Sequence, residues 1–187
     1  KEKGIYIILV PTTVNYENIP LPNQQVDVSL EFLARRYIDE PHILYELWSQ
    51  PADVGWEDWY PKAINMASKI RSINPESVLV ISGTKWARDF RFLQNKLFPF
   101  GNIIYDVHDF SWPGQDTRSW WTWMIGKVPV LVGAFGGAHR DVEDTCFYQS
   151  TCDLDYIKDT LKIISKNPKL VHYNFEPFEG LVEDEGI

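Results

Sequence analysis

The sequence contains no stretch approaching the roughly 18 consecutive apolar residues that a membrane-spanning helix needs. It is short of positive charge, with 18 Lys+Arg against 26 Asp+Glu among 187 residues, a formal net charge of −8. Sequence-independent nucleic-acid binding rests on Lys and Arg neutralising phosphates, so this balance argues against it. It argues equally against an anchor on anionic lipid. There are only two cysteines, Cys146 and Cys152. One Cys-x₅-Cys pair is poor spacing for zinc, and no other metal or cofactor signature appears, so no cofactor is expected. The pair reads either as a short loop-closing disulfide, which would fit an oxidising compartment, or as two free thiols. No Asn-x-Ser/Thr sequon occurs, and no secretory h-region is present. With Lys1 rather than Met at the start, the chain reads as processed, truncated or partial.

What the sequence does have is apolar content (44% hydrophobic, 14% aromatic) sufficient for one sizeable core, expected as a single module over residues 1–187. Short β-branched runs alternate with helical periods. Strands are expected at 4–10, 43–48, 77–82, 102–107, 128–133 and 170–175. Helices are expected at 26–37, 56–73, 86–96, 117–125 and 153–166, with Asn74-Pro75 and Asn167-Pro168 as stops. Strands separated by crossover helices imply a parallel α/β sheet. A doubly wound sheet often carries a Gly-rich phosphate loop after its first strand, but here that strand runs into Val10-Pro11-Thr12-Thr13. A (β/α)₈ barrel spends about 31 residues per unit, so 187 residues make about six units, the number counted. The expectation is six-eighths of a TIM-type barrel.

Barrel sites are built at the C-terminal strand ends. Read in order, those ends carry Ser49-Gln50-Pro51, Gly83 with Trp86, His108-Asp109-Phe110 followed by Trp112, Ala134-Phe135-Gly136, and Tyr173-Asn174-Phe175. Aromatic faces stack on the C–H faces of sugars, so a mouth with Trp86, Trp112 and Tyr173 suits an oligosaccharide or polysaccharide. Core packing is the competing explanation, and it is the better one for Trp120, Trp121 and Trp123.

These segments resemble glycoside hydrolase family 5, the cellulase-like barrels. The resemblance runs from Leu33-Ala-Arg-Arg-Tyr37 and Pro41-His-Ile-Leu-Tyr-Glu-Leu-Trp48 through Val80-Ile-Ser-Gly83 and Asn102-Ile-Ile-Tyr-Asp-Val-His108 to Pro129-Val-Leu-Val-Gly133 with Phe135-Gly136. It implies a chain covering about strands 3 to 8, without the first two βα units. It also implies a secreted protein that meets polysaccharide. The departures fall on the chemistry. Where the family carries Asn-Glu-Pro, with the Glu as general acid/base, this chain has Ser49-Gln50-Pro51. Where the family carries Gly-Glu-Phe-Gly, with the Glu as nucleophile, it has Gly133-Ala134-Phe135-Gly136. The family's His-x-Tyr is His108-Asp109-Phe110, its strand 3 His is Thr12, and its strand 8 Trp is Tyr173. Retaining hydrolysis needs two carboxyl groups about 5–5.5 Å apart. Gln50 has no acidic proton and Ala134 no functional group. Erosion across so many positions reads as a natural pseudoenzyme that binds carbohydrate or serves an extracellular assembly. The sugar contacts expected are Ser49, Gln50, Trp86, His108, Phe110, Trp112 and Tyr173. The alternative is a β-glycan endo-hydrolase of cellulase or mannanase type whose carboxylates were engineered away or moved, with Asp109 and Glu176 as one conceivable new pair. Glu46 reads as a core-facing residue, and His139, Asp141, Glu143 and Asp144 as a solvated acidic loop.

A barrel fragment has open sheet edges, and the run 5–10 carries no gatekeeper charge. Something is therefore expected to complete the sheet: an N-terminal segment, another protein chain or a second copy.

Overall fold

A computed structural model describes residues 4–11, 21–110, 117–136, 154–168 and 171–175. For the last segment only the backbone is described. The chain divides into two compact units, 1–106 and 107–187.

The first unit holds β1 (Ile7–Leu9), α1 (Gln24–Arg36), β2 (Ile43–Glu46), α2 (Trp56–Ile73), β3 (Val78–Ser82) and the first half of β4 (Ile103–Phe110). Its strands lie in the order β1-β2-β3-β4, all parallel, with Ile8 opposite Leu44, Glu46 opposite Val80 and Ser82 opposite Asp106. Asn23 caps α1, its side-chain oxygen accepting the Val26 amide at 3.2 Å. Val26, Leu30 and Ala34, four residues apart, put one buried stripe along α1. The 18-residue α2 buries Trp56, Trp59, Ala63, Met66, Ala67 and Ile70 at the same kind of spacing. It stops at Asn74 because the residue before Pro75 is pushed out of helical backbone. Tyr45, Leu47, Leu79, Val80 and Ile81 supply strand residues to this core, as a parallel sheet buried on both faces requires. Asp27 on α1 accepts Lys62 Nζ at 3.1 Å and Lys69 Nζ at 2.8 Å, pinning α1 to α2.

The second unit holds the end of β4, two short 3₁₀ turns (Arg118–Trp120 and Thr122–Met124), β5 (Val130–Gly136), α3 (Leu154–Lys166) and β6 (Val171–Phe175). β5 and β6 are parallel, with Leu131 opposite Val171 and Phe135 opposite Phe175. α3 packs on β5 and buries Ile157 and Thr160.

Three expectations need correction. Residues 86–96 are not a right-handed helix. They begin in a left-handed turn (Thr84–Ala87) and continue as a 3₁₀ turn (Arg91–Gln94), because the Asp89 side chain accepts the Arg91 amide and interrupts the ladder. Residues 117–125 form two 3₁₀ turns, consistent with an aromatic-rich segment of modest helix propensity. β4 and β5 run further than expected, so His108, Asp109, Phe110, Ala134 and Phe135 lie within strands.

Candidate functional site

In the first unit, the segments after β2 and β3 meet. Leu47 N–H donates to Val80 O at 3.0 Å and carries the chain on to Ser49, Gln50 and Pro51. Gln50 has φ +53°, a left-handed conformation that costs a non-glycine residue about 1–2 kcal/mol. The Pro51 carbonyl accepts the Trp86 amide at 3.3 Å. Trp86 sits in a second left-handed stretch, with Lys85, Trp86 and Ala87 at φ +53°, +57° and +58°. Three consecutive side-chain-bearing residues in this region require outside support.

That support is visible residue by residue. The Gly83 carbonyl accepts the Ala87 amide at 3.1 Å, and the Thr84 carbonyl accepts those of Arg88 and Asp89. A Cβ on Gly83 would come within 2.6 Å of the Phe90 ring and 2.9 Å of Asp89 O, so only glycine permits this approach. From α2, Trp56 Nε1 donates to Asp89 O at 2.8 Å and Trp59 Nε1 to Ser82 O at 2.9 Å. Arg91 grips both Asp89 oxygens, through Nε at 3.0 Å and an amine at 2.6 Å. Burial pushes the Asp89 carboxyl upward, but the hydrogen bonds from Arg91 outweigh it and hold the group below the usual aspartate value. The turn therefore rests on a fixed platform, and leaves Lys85 exposed and Trp86 half-buried.

Beneath it lies a polar layer that the sequence did not announce. Ser82 Oγ donates to Glu46 Oε1 at 2.9 Å and lies 3.2 Å from Asp106 Oδ2. Both carboxyl groups are buried. The hydroxyl has one hydrogen and two acidic neighbours, so it bridges the two strands. Glu46 is core-facing, as its place in the strand suggested. The available signal was polar residues at the ends of otherwise apolar strands.

In the second unit, Asp109 is 1% exposed and His108 and Phe110 flank it, Phe110 with no exposed surface. Asp109 Oδ1 accepts Tyr156 OH at 2.8 Å and Trp121 Nε1 at 3.2 Å, and Oδ2 accepts Thr160 Oγ1 at 2.6 Å. Arg118 Nε lies 3.7 Å from Oδ2, and the guanidinium stacks over the Tyr156 ring at 3.6 Å. Burial, then the Asp109 charge, raises the Tyr156 hydroxyl's affinity for its proton. Both oxygens of Asp109 are engaged in holding α3 and the 3₁₀ segment to the end of β4. That arrangement corrects the idea of Asp109 as one of a relocated catalytic pair. Ala134 and Phe135 are buried in β5. Trp121 is buried against Asp109, the packing role expected of it.

Tyr173 lies in β6. Thr12, Trp112, His139, Asp141, Glu143, Asp144, Cys146, Cys152 and Glu176 lie outside the described residues. Among the described residues there is no group of three or more His, Cys, Asp or Glu that could hold a metal ion. None of their helices is long and apolar enough to cross a membrane.

The cellulase model of glycosyl hydrolase family 5 matches residues 1–176. The chain belongs to that family. Its (β/α)₈-type fold accounts for parallel strands alternating with helices. Among solved structures, the catalytic domain of Thermobifida fusca endoglucanase Cel5A superimposes with a TM-score of 0.74 at 18% identity, covering 95% of this chain and 58% of that one. The β-glucanase SdGluc5_26A of Saccharophagus degradans gives 0.69 at 16%, covering 83% of this chain and 51% of that one. At such identities the likeness speaks for the fold alone. Sequence relatives include endoglucanase Z of Dickeya dadantii, 26% identical over 80 residues, and endoglucanase A of Butyrivibrio fibrisolvens, 25% identical over 114 residues. These alignments cover 42% and 59% of this chain but only 19% and 25% of the relatives. The chain thus spans a quarter or less of these relatives' length and about half that of the solved structures.

Proposed function

We propose that this family 5 member is a catalytically inactive, carbohydrate-binding module, secreted and acting outside the cell. The sequence supports the reading through Ser49-Gln50-Pro51 and Gly133-Ala134-Phe135-Gly136, which we align with the family's Asn-Glu-Pro and Gly-Glu-Phe-Gly, so that Gln50 and Ala134 take the places of its two glutamates. An amide cannot protonate a leaving glycosidic oxygen, and a methyl group cannot attack an anomeric carbon. What the first unit retains suits binding. Trp86 is presented by a braced turn and offers an indole face, with Lys85 exposed beside it. Ser49 and Gln50 offer hydroxyl and amide groups for sugar hydroxyls. His108 is assigned the same duty, as are Tyr173 and Trp112. Phe110, buried, would act only as packing behind His108.

β-1,4-Linked glucan oligosaccharides are the ligand class proposed; a Glu-to-Gln variant of the Thermobifida fusca enzyme has been solved with cellotetraose. Titration calorimetry with cellotetraose and a mannan oligosaccharide, paired with a reducing-sugar assay, tests the reading. Binding without release of reducing ends is the expected outcome. Release of reducing ends refutes inactivity, and absence of binding refutes the module's role.

A second reading has one observation behind it. Glu46 and Asp106 place two carboxyl groups against one hydroxyl, so a hydrolase with relocated acids would look first to them. Their burial opposes it. If reducing ends were released and Asp106→Asn abolished the release, this reading would replace the first.

We also propose that Cys146 and Cys152 are bridged. Thiol alkylation without prior reduction that labels both residues would disprove it.

A further inference from the structure

We infer that the turn carrying Trp86 selects sugars that bear a carboxylate, with Lys85 as the residue that recognises it. The inference rests on the sugar-binding reading and narrows its ligand to a β-1,4-linked chain that includes a uronic acid. It starts from where the positive charge lies. The chain as a whole has a formal net charge of −8, yet the short run Lys85-Trp-Ala-Arg-Asp-Phe-Arg91 holds three cations and one carboxylate. On the segment that meets this turn, Ser49-Gln-Pro-Ala-Asp-Val54, Asp53 is the single charged residue. The two segments join where the Pro51 carbonyl accepts the Trp86 amide at 3.3 Å. An acidic chain thus gathers positive charge around the indole proposed to stack on sugar.

The carboxyl groups packed under the turn are engaged below its surface. Asp89 is buried and takes Arg91 through both oxygens, at 3.0 and 2.6 Å. Glu46 and Asp106 are buried on either side of the Ser82 hydroxyl, at 2.9 and 3.2 Å. Arg88, 4% exposed, adds its charge from inside the turn, where salt screens it little. Lys85 is near enough to help hold Asp89 ionised, but the acid is enclosed and the ammonium is exposed. About half of the Arg91 side chain is open to solvent as well. The charge presented beside the half-buried Trp86 is therefore positive.

Lysine has no conformational reason to stand there. At φ +53° it is left-handed, where glycine or asparagine would sit at less cost. Adjacent Cα atoms lie about 3.8 Å apart, so indole and ammonium reach neighbouring parts of one ligand. The indole takes the C–H face of a sugar. The ammonium has three hydrogens to donate, and its bond to a carboxylate is shorter and stronger than one to a hydroxyl. A neutral glucan gives Lys85 hydroxyl oxygens alone. Gln50, in the place we align with the family's acid/base glutamate, has no charge to repel a uronate and an NH₂ group to donate to one.

The test is titration calorimetry on the 187-residue chain with two tetramers of one backbone. One is cellotetraose, and the other is its counterpart with a carboxylate at every C6. At low salt the carboxylated tetramer should bind about threefold tighter, the worth of an exposed charge pair. In 1 M NaCl, where screening sets in within about 3 Å, the advantage should vanish. Lys85→Gln, shown folded by circular dichroism, should bind the two tetramers alike, and Lys85→Arg should keep the preference. A parent chain that binds cellotetraose as tightly as the carboxylated tetramer overturns the inference and leaves the sugar-binding reading in place. A preference that survives Lys85→Gln also overturns it, by placing the recognition elsewhere. Binding of neither tetramer overturns both.

Discussion

Replacing Asp109 by alanine should be among the most damaging single changes in the second unit. The carboxylate accepts from Trp121, Tyr156 and Thr160 and faces the Arg118 guanidinium. A buried donor left without an acceptor costs about 1–3 kcal/mol. Thr160 has a second partner, the Tyr156 carbonyl at 3.1 Å, and can turn to it. Tyr156 OH can rotate in part, but the indole N–H of Trp121 is fixed by its ring. Arg118 also loses its buried counter-charge while keeping hydrogen bonds to Tyr156 O and Thr160 Oγ1. Counting Trp121 in full, Tyr156 in part and a share for Arg118 gives a loss of about 3–5 kcal/mol. For a chain of this size each kcal/mol lowers Tm by roughly 2–4 °C, so a drop on the order of 10 °C is expected. Asp109→Asn keeps the shape but turns an amide toward hydroxyl and indole donors, and should fall between alanine and wild type. Tyr156→Phe, which removes one donor and leaves the carboxylate two others, should cost about 1 kcal/mol. Urea titration followed by tryptophan fluorescence and circular dichroism measures all three. An Asp109→Ala protein within about 1 kcal/mol of wild type would refute the view that this carboxylate holds α3 to the end of β4.

Three further outcomes follow from other contacts. Ser82→Ala removes the hydroxyl between Glu46 and Asp106, leaves a buried carboxyl without that donor, and should cost about 1–3 kcal/mol in the same urea titration. Asp27→Asn weakens the grip of Lys62 and Lys69, which are 25% and 37% exposed; the loss should be about 1–2 kcal/mol at low salt and visibly smaller in 1 M NaCl, with equal losses counting against the ion pairs. Tyr105 sits in burial that pushes its hydroxyl up to about 12. A raised folded value means the folded state holds the proton more tightly. Its contribution is therefore complete below the unfolded value near 10 and drains away as pH climbs toward 12. Stability followed from pH 9 to 12 should decline less steeply in Tyr105→Phe, and parallel curves would contradict this.

The periodicity of 56–73 was enough to place α2 residue for residue, because its apolar spacing and its Asn74-Pro75 stop agree. The six strands were legible as β-branched runs, and the (β/α)₈ class followed from their alternation with helices. Two kinds of feature escaped. The left-handed turn of 84–87 depends on tertiary tethers from Trp56 and Trp59, nearly thirty residues earlier, and no local propensity records them. The buried polar layer of Glu46, Ser82 and Asp106 is spread over three strands, so only the register reveals that the groups meet. Asp109 shows the limit from the other side. Its place beside His108 looked open to chemistry, and the partners that engage it, Tyr156 and Thr160, lie about fifty residues on.

The concentration of unusual backbone in the first unit bears on the proposed sugar-binding role. Gln50, Lys85, Trp86 and Ala87 all hold positive φ, at about 1–2 kcal/mol each. Together that is about 4–8 kcal/mol, comparable to the whole stability of a modest domain. Asp89 with Arg91, Trp56 and Trp59 hold the region in place. Strain of this size gathers where a side chain must be aimed. If aiming Trp86 is the purpose, releasing the strain should separate stability from binding. Ala87→Gly relieves the left-handed penalty but gives up a buried methyl group and admits more unfolded conformations, so stability is expected to stay within about 1 kcal/mol of the parent. The same change lets Trp86 wander, so affinity for cellotetraose should fall about threefold to tenfold while Tm stays close to the parent's. Calorimetry on the two proteins at one temperature provides the comparison. A folded Ala87→Gly protein that binds cellotetraose as well as the parent would mean that the turn serves packing alone.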